Sequence, residues 1–300
     1  IKGEIGTAEF ALEYAALLNG AVARPAPNGR TFAALVVSYV RSPRYRKLAP
    51  RTARDYDKIL EWVKKRLGDV EVSLVQRKDV IRARDTNAET VRFANYIVQV
   101  LRILFEHSID QGWRQDNPAK GVSLLTSDNE PRQPWPEEKI AAYRNSAQGR
   151  ALLIFELCLG TGQRIGDVLK MRWSDIEGDG INVTQAKTGA KLWVPFTPQL
   201  RALLAETKKV GVTICAWGHG KPTSYRGAAD LVMGVRRQIG AEAFDIHGLR
   251  YSAASELAAL GCSDELIQAV TGHTTSAMVR KYAGAARQKV RALEAQERRK

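Results

Sequence analysis

The chain has 300 residues, 44% hydrophobic and 26% charged, which is the balance of a folded globular protein and excludes an intrinsically disordered one. Its 46 Lys and Arg against 32 Asp and Glu leave a net charge of +14, so the surface attracts polyanions, nucleic acid before others. No apolar run approaches the roughly 20 residues that a membrane span needs, and no signal-peptide pattern opens the chain.

The length allows two ordinary domains, each with its own core. A start at Ile1 rather than Met leads us to expect a piece of a longer protein. Cys158, Cys215 and Cys262 are far apart and form no CxxC pair, so neither a metal site nor a disulfide framework is expected, and the cytoplasm is the expected compartment.

In chain order, residues 3–19 read as a helix and Ala23–Gly29, rich in Pro and Gly, as a linker. Helical patterns follow at about 31–41 and 51–67, the second carrying Tyr56, Ile59, Leu60, Val63 and Leu67 at helical spacing. A short helix near 77–84 precedes a long one over 87–111, with Val91, Ala94, Ile97, Val98, Leu101, Leu104 and Phe105 on one face and Gly112 as its stop. Residues 116–136 are polar, hold four prolines and read as an interdomain linker. Helices at about 137–147 and 150–159 follow, the latter ended by Gly160, and "RIGDVLKMRW" starts another. The β-branched runs of "EGDGINVTQAKTGAKLWVPF" flank a Lys-Thr-Gly turn and make a hairpin or small antiparallel sheet. Thr197-Pro198 opens a helix to about 209, and the remainder reads as helical with breaks at Gly240, Gly261 and Gly272. The last segment, 286–300, is a charged helical tail with a thin stripe of Ala286, Val290 and Leu293. The fold class is therefore mainly α (α+β): a small helical domain over 31–115 behind a lead-in at 1–30, the linker at 116–136, and a mostly helical domain with a small sheet over 137–285.

Six residues carry candidate chemistry. Gly160 and Gly162 bracket the loop before Arg164 and let the backbone turn to present the guanidinium, with Asp167 three residues on to hold it. Lys187 sits in the hairpin turn, His247 and Arg250 are spaced i, i+3, His273 follows a helix-breaking glycine, and Tyr282 comes nine residues later. Singly, each is more ordinarily a solvated base, a capping histidine or a core tyrosine; the ordered combination is what counts.

That combination resembles the tyrosine recombinases, the phage integrase family, over nearly the whole chain. "TGQRIGDVLKMRWSDI" resembles its first arginine box, "KTGAKLWVPF" its β-turn lysine segment, "HGLRYSAASELAALG" its His-x-x-Arg box, and "VTGHTTSAMVRKYAG" its Gly-His and tyrosine boxes. "TARDYDKILEWVKKRLGDVEVSLVQRKDV" and "NYIVQVLRILFEHSIDQGWRQDNPAKGV" are similar to its helical core-binding domain. Where the family's first box usually has leucine ("TGLR"), this chain has Gln163, a change not expected to abolish chemistry.

The resemblance implies that Tyr282 is the nucleophile, forming a covalent 3′-phosphotyrosyl link and expelling a 5′-hydroxyl. It implies Arg164 and Arg250 as the phosphate clamp, Lys187 as general acid, His247 as the group taking the tyrosine proton, His273 as a hydrogen-bond donor to the phosphate and Asp167 as a buttress of the Arg164 and His247 region. It implies no cofactor and no metal; the sequence has no acidic cluster of nuclease type and no GxxxxGK[ST] loop. Double-stranded DNA is the implied partner, bound as a homotetramer, with an accessory DNA-bending protein and a nucleoid-associated location. Arg44, Arg46, Lys47, Arg51 and Arg54 in the basic run 41–54, and Arg92 with Asn95 on the long helix, are the candidate DNA contacts. A Xer-like resolvase with the same catalytic set, a type IB topoisomerase needing the same groups, and a non-catalytic DNA-binding regulator on the same scaffold stand as alternatives.

Overall fold

A computed structural model describes residues 29–127 and 132–299, and of Tyr282 the backbone alone. The helix expected at 3–19 and nearly all of the linker at 23–29 lie outside the described residues. Two compact units divide the chain, Ile1–Asn129 and Glu130–Lys300.

In the first unit, helices α1 (Phe32–Arg41), α2 (Pro43–Arg46), α3 (Pro50–Leu67), α4 (Arg77–Asp85) and α5 (Val91–Asp110) follow one another. Ile59, Leu60 and Val63 of α3 and Ala94, Ile97, Val98, Leu101, Leu104 and Phe105 of α5 are buried with Phe32 and Leu35 of α1. Helix α5 starts at Val91 rather than 87, because the turn Ala88–Thr90 is 3₁₀. Gly112 ends the segment at φ +66°, where an L side chain would be strained. The basic run 41–54 is not continuous: α2 is capped by the Ser42 side chain and α3 restarts at Pro50.

Residues 116–127, polar enough to read as linker, are fastened to this unit through their backbone carbonyls. Arg102 donates to the carbonyls of Ala119 (3.0 Å) and Val122, Arg77 to those of Lys120 (3.0 Å) and Gly121 (2.7 Å), and Arg84 to that of Ser123 (2.6 Å). A segment outside helix and sheet has carbonyls to satisfy, and the neighbouring arginines supply the donors. Ala119 and Val122 complete the packing from inside.

The second unit is built round α7 (Gly149–Thr161), which is buried on nearly every side and packs against α9 (Pro198–Glu206), α10 (Tyr225–Gln238) and α11 (Gly248–Ala259). α6 (Glu137–Ser146) precedes α7, and the single-turn α8 (Ile165–Val168) follows it. Strands β1 (Ile176–Glu177), β2 (Gly180–Thr184) and β3 (Lys191–Pro195) form an antiparallel sheet in the order β1-β2-β3, with Ile181 opposite Val194 and Val183 opposite Leu192 facing the core. α12 (Asp264–Thr271) and α13 (Ser276–Glu297) complete the unit.

Helix α7 runs past Gly160 and ends at Gly162, in the left-handed conformation at φ +62°. Gly160 has a packing role: a Cβ there would stand 3.1 Å from the Thr197 hydroxyl and 3.2 Å from Leu200 of the α9 segment. Residues 207–224 were expected to be helical; beyond α9 they form a loop that bridges back through Thr213 to Arg172, in keeping with Gly211, Gly218, Gly220 and Pro222. The tail 286–300 is continuous with α13 through Glu297: Val279 and Ala283 are buried against Ala254, Ala258 and Ile267, and Arg287 bonds the Asp264 carboxylate and the Cys262 carbonyl (2.8 Å). Leu293 lies outside this packing, 59% exposed. Among the described residues no helix is long and apolar enough to cross a membrane.

Trp135, within the expected linker, is a core residue of this unit. It meets Tyr143 and Phe155 edge-on, centroids 5.7 and 5.3 Å away, and its ring N–H donates to the Asp245 carbonyl at 2.8 Å. Trp135→Ala is expected to destabilise the unit by about 3–5 kcal/mol, as large core truncations do. Urea unfolding of the variant checks this; a midpoint close to wild type would remove Trp135 from the core.

Candidate active site

The left-handed turn at Gly162 delivers the chain to Arg164, which stands at the cap of α8 in an extended conformation with its side chain 19% exposed. Its Nη1 donates to Gln185 Oε1 at 3.2 Å and lies 4.0 Å from Asp167 Oδ2. Asp167 is buried, and its closer bond goes to the hairpin: Oδ1 accepts the Ala186 N–H at 2.9 Å. The expected buttress is thus tied less to Arg164 and His247 than to the turn that carries Lys187.

That turn is closed by Gln185 and Ala190 (N–H to carbonyl, 2.8 Å), with Gly189 at φ +71°, and leaves Lys187 exposed beyond β2 and β3. Arg164, Asp167, Lys187, His247, Thr223 and Tyr225 line one open depression of about 620 Å³.

His247 occupies the position before α11, its ring edge-on to Tyr251 at 5.1 Å. Burial is the main cause that lowers its pKa to about 4; the Arg132 charge adds to this, Asp245 opposes it, and Arg250 and Arg164 contribute further. Arg250 is 1% exposed. Its Nη1 donates to the carbonyls of Gly162 (2.7 Å) and Thr271, and its Nε to His273 Nε2 at 3.3 Å.

His273 follows Gly272, which ends α12 at φ +67°. The Thr271 hydroxyl lies 2.6 Å from the Ile267 carbonyl and 2.7 Å from His273 Nδ1. Having one proton, it donates to the carbonyl and accepts from Nδ1–H, which leaves Nε2 as the acceptor for Arg250. This assigns a neutral imidazole, and the chemistry agrees: burial first, then Arg250, Arg164 and His247, lower the His273 pKa to about 3. In this arrangement both ring nitrogens serve Thr271 and Arg250, so His273 does not present the free N–H expected of a phosphate donor. Tyr282 lies on α13.

Gln163 and Gln185 escaped the sequence reading as site residues; both are buried polar side chains beside Arg164. A glutamine directly before the lysine turn, at a position where β2 points inward, was the available signal. Arg44, Arg46, Lys47, Arg51, Arg54 and Arg92 are exposed, with Arg51 paired to Asp55 at 3.1 Å and Arg54 bonded to the Pro50 carbonyl at 3.4 Å. Asn95 departs from the expectation. Its amide donates to the Leu125 carbonyl (2.8 Å) and accepts the Leu125 N–H (2.7 Å), so it fastens the 116–127 segment. Among the described residues no group of three or more His, Cys, Asp or Glu side chains could hold a metal ion.

Residues 137–289, half of the chain, match the phage integrase family. The integrase of Escherichia phage HK022 is 28% identical over 256 residues, covering 79% of this chain and 71% of that protein. The integrase of Escherichia phage lambda is 25% identical over 254 residues, with the same coverage. The lambda integrase tetramer bound to a Holliday junction superposes with a TM-score of 0.78 at 22% identity, covering 91% of this chain and 85% of that one. The Tn1549 transposon integrase in complex with circular intermediate DNA gives 0.73 at 16% identity, covering 84% and 94%. Both structural likenesses concern the fold. The chain belongs to the phage integrase family and is a site-specific tyrosine recombinase, an enzyme that cleaves and rejoins DNA.

The two histidines give a pH test. Both pKa values lie below the ordinary 6.5, so the fold favours the neutral rings; the stability they add is complete above pH 6.5 and is lost as pH falls through about 4 for His247 and about 3 for His273. Imidazole NMR resonances of both are expected to titrate below pH 5 in the DNA-free protein. Midpoints near 6.5 would contradict the burial that sets them.

Proposed function

We propose that the enzyme integrates or excises a mobile DNA element, joining Tyr282 covalently to the 3′-phosphate of each cleaved strand. Tyr282 Oη attacks phosphorus as the P–O5′ bond breaks. The tyrosyl proton passes to His247, which is neutral at pH 7 and has a lone pair to accept it, and Lys187 protonates the departing 5′-oxygen. Arg164 and Arg250 balance the negative charge that grows on the non-bridging oxygens. The phosphoryl link keeps the energy of the broken bond, so a 5′-hydroxyl from a second duplex can reverse the step.

The observation that carries this reading is the gathering of Arg164, Lys187 and His247 round one open depression, with the buried Arg250–His273 pair joined to Arg164 through Gln185 and Thr271. Two cationic side chains and a neutral imidazole in one place, with the Arg250 guanidinium linked to them, favour a phosphodiester. Asp167 positions the Lys187 turn. Arg44, Arg46, Lys47, Arg51, Arg54 and Arg92 are exposed enough to hold DNA phosphates, whereas Asn95 is committed within its own unit.

The phage and prophage integrases among the relatives favour a mobile element over resolution of replicated dimers. Lambda integrase has been seen on DNA as a dimer and as a tetramer on a Holliday junction. We extend that assembly to this chain: a homotetramer on double-stranded DNA in the cytoplasm, at the nucleoid, aided by an accessory DNA-bending protein.

The test is a nicked suicide duplex built on the attachment repeats beside the gene. Wild type is expected to form a protein–DNA adduct stable to denaturation; Tyr282→Phe should bind the duplex with unchanged affinity and form none. An adduct with the phenylalanine variant would remove Tyr282 from its role. Lys187→Ala should slow cleavage about 100-fold or more, within the range of a lost general acid, and a sulfur-substituted leaving group, which needs no proton, should restore most of it.

A further inference from the structure

Two buried glutamines lie directly behind the arginines. Gln163 is 1% exposed and Gln185 0%. Their two amides offer four N–H groups, and each has a partner. Gln163 Nε2 donates to the carbonyls of Val270 (2.8 Å) and Thr161 (3.0 Å), and Gln185 Nε2 to Gln163 Oε1 (2.7 Å) and the Thr271 carbonyl (2.9 Å). These carbonyls accept only, so neither amide can be flipped without setting oxygen against oxygen. Gln185 Oε1 is therefore forced to the other side, where it accepts from Arg164 Nη1 (3.2 Å) and the Thr188 hydroxyl (2.9 Å). The Thr271 carbonyl that fixes Gln185 also accepts from Arg250 Nη1. Space is tight: a Cβ on Gly272 would come 2.4 Å from Gln185 Nε2.

We infer that Gln163 and Gln185 are positioning residues for strand cleavage, the pair that sets Arg164 at a fixed place relative to Arg250. The inference rests on the proposed roles of those arginines. Four segments meet at the pair: the loop after α7, the hairpin, the end of α12 and, through the Thr271 carbonyl, α11. The Asp167 carboxylate stands off at 4.0 Å, and the hydrogen bond that directs Arg164 comes from a neutral, acceptor-only oxygen, which leaves its charge available to a phosphate while its direction is fixed before DNA arrives. A carboxylate at 185 would fix it as well but would neutralise it. Leucine at 163 would leave Gln185 one acceptor short and its amide less firmly aimed.

The consequence is kinetic. DNA affinity comes from many phosphate contacts and should not notice the pair, whereas the cleavage step depends on where Arg164 stands. The experiment measures single-turnover adduct formation by the full chain on the same nicked duplex, with DNA affinity and melting temperature recorded for every variant. Gln185→Leu is expected to slow adduct formation about tenfold or more, the effect of one misplaced charge-assisted hydrogen bond, with an unchanged Kd. Gln163→Leu keeps the Arg164 bond and removes one restraint on the amide, so a smaller loss, about threefold, is expected on the same reasoning.

Coupling separates positioning from mere support of the fold. If Gln185 acts through Arg164, Gln185→Leu should cost nothing further in an Arg164→Ala background; a purely structural residue would cost the same in both. Wild-type rates for both glutamine variants, or losses that multiply with Arg164→Ala, overturn the inference. Should Gln185→Leu fail to fold, Gln163→Leu carries the same cycle. A wild-type chain that forms no adduct at all, or a Tyr282→Phe variant that does, would instead sink the functional reading itself.

Discussion

A guanidinium buried to 1% has to be satisfied by something, and the way Arg250 is satisfied organises the second unit. Taking a cation out of water costs several kcal/mol unless it is well bonded. Here the acceptors are the Gly162 carbonyl at the C-cap of α7 and the Thr271 carbonyl at the end of α12. Both belong to the last turn of a helix, where carbonyls lack intrahelical partners and the helix dipole is negative. The two helices end in glycines with positive φ, Gly162 and Gly272, which let the chain turn away and leave those carbonyls facing inward. These carbonyls hold the guanidinium as dipoles, which leaves its charge in place. In the proposed role of Arg250 that choice would matter, since the positive charge would still be there when a phosphate arrived.

The same economy explains the histidines. Two imidazoles beside two arginines can be buried only if they are uncharged, and both pKa values are lowered accordingly. On the proposed reading, a phosphate entering the depression would bring negative charge that offsets the arginine field and would raise the proton affinity of His247 and His273. The Arg250–His273 bond that occupies both partners in the DNA-free protein is the contact such a change would loosen.

Much of this was legible in the sequence. Helical periodicity marked α3 and α5, and the β-branched runs marked the hairpin, because in each case burial of one face fixes a period that survives any tertiary detail. The candidate site boxes stood out because glycines, Arg164, Lys187, His247, Arg250 and His273 follow one another in the order the resemblance carries. Most of the misses concern polar groups whose partners lie far away in sequence. Residues 116–127 read as linker from their side chains, but the structure uses their carbonyls, which composition does not reveal. Asn95 on an exposed-looking face is turned to one of those carbonyls. For Gln185 the inward position at the end of β2 signals burial, but for neither Gln163 nor Gln185 does the sequence show which partners complete its bonds. Residues 207–224 were read as helix through a stretch whose glycines and proline argued otherwise.

The arginines that hold the 116–127 segment have a consequence for reading charge. Arg77, Arg84 and Arg102 spend their donors on carbonyls of the same unit; Arg114 does likewise with Val75, Arg150 with Ala216 and Arg236 with Ala241. Each adds one to the arithmetic that gives +14, yet part of its donor set is occupied by carbonyls of its own unit, and Arg84 and Arg114 are paired with Asp85 and Asp116 as well. Such groups draw a polyanion from a distance but displace few counterions once it is bound, because displacement follows the phosphates touched rather than the charges carried. Net charge therefore forecasts how fast this protein finds DNA better than how tightly salt controls its hold.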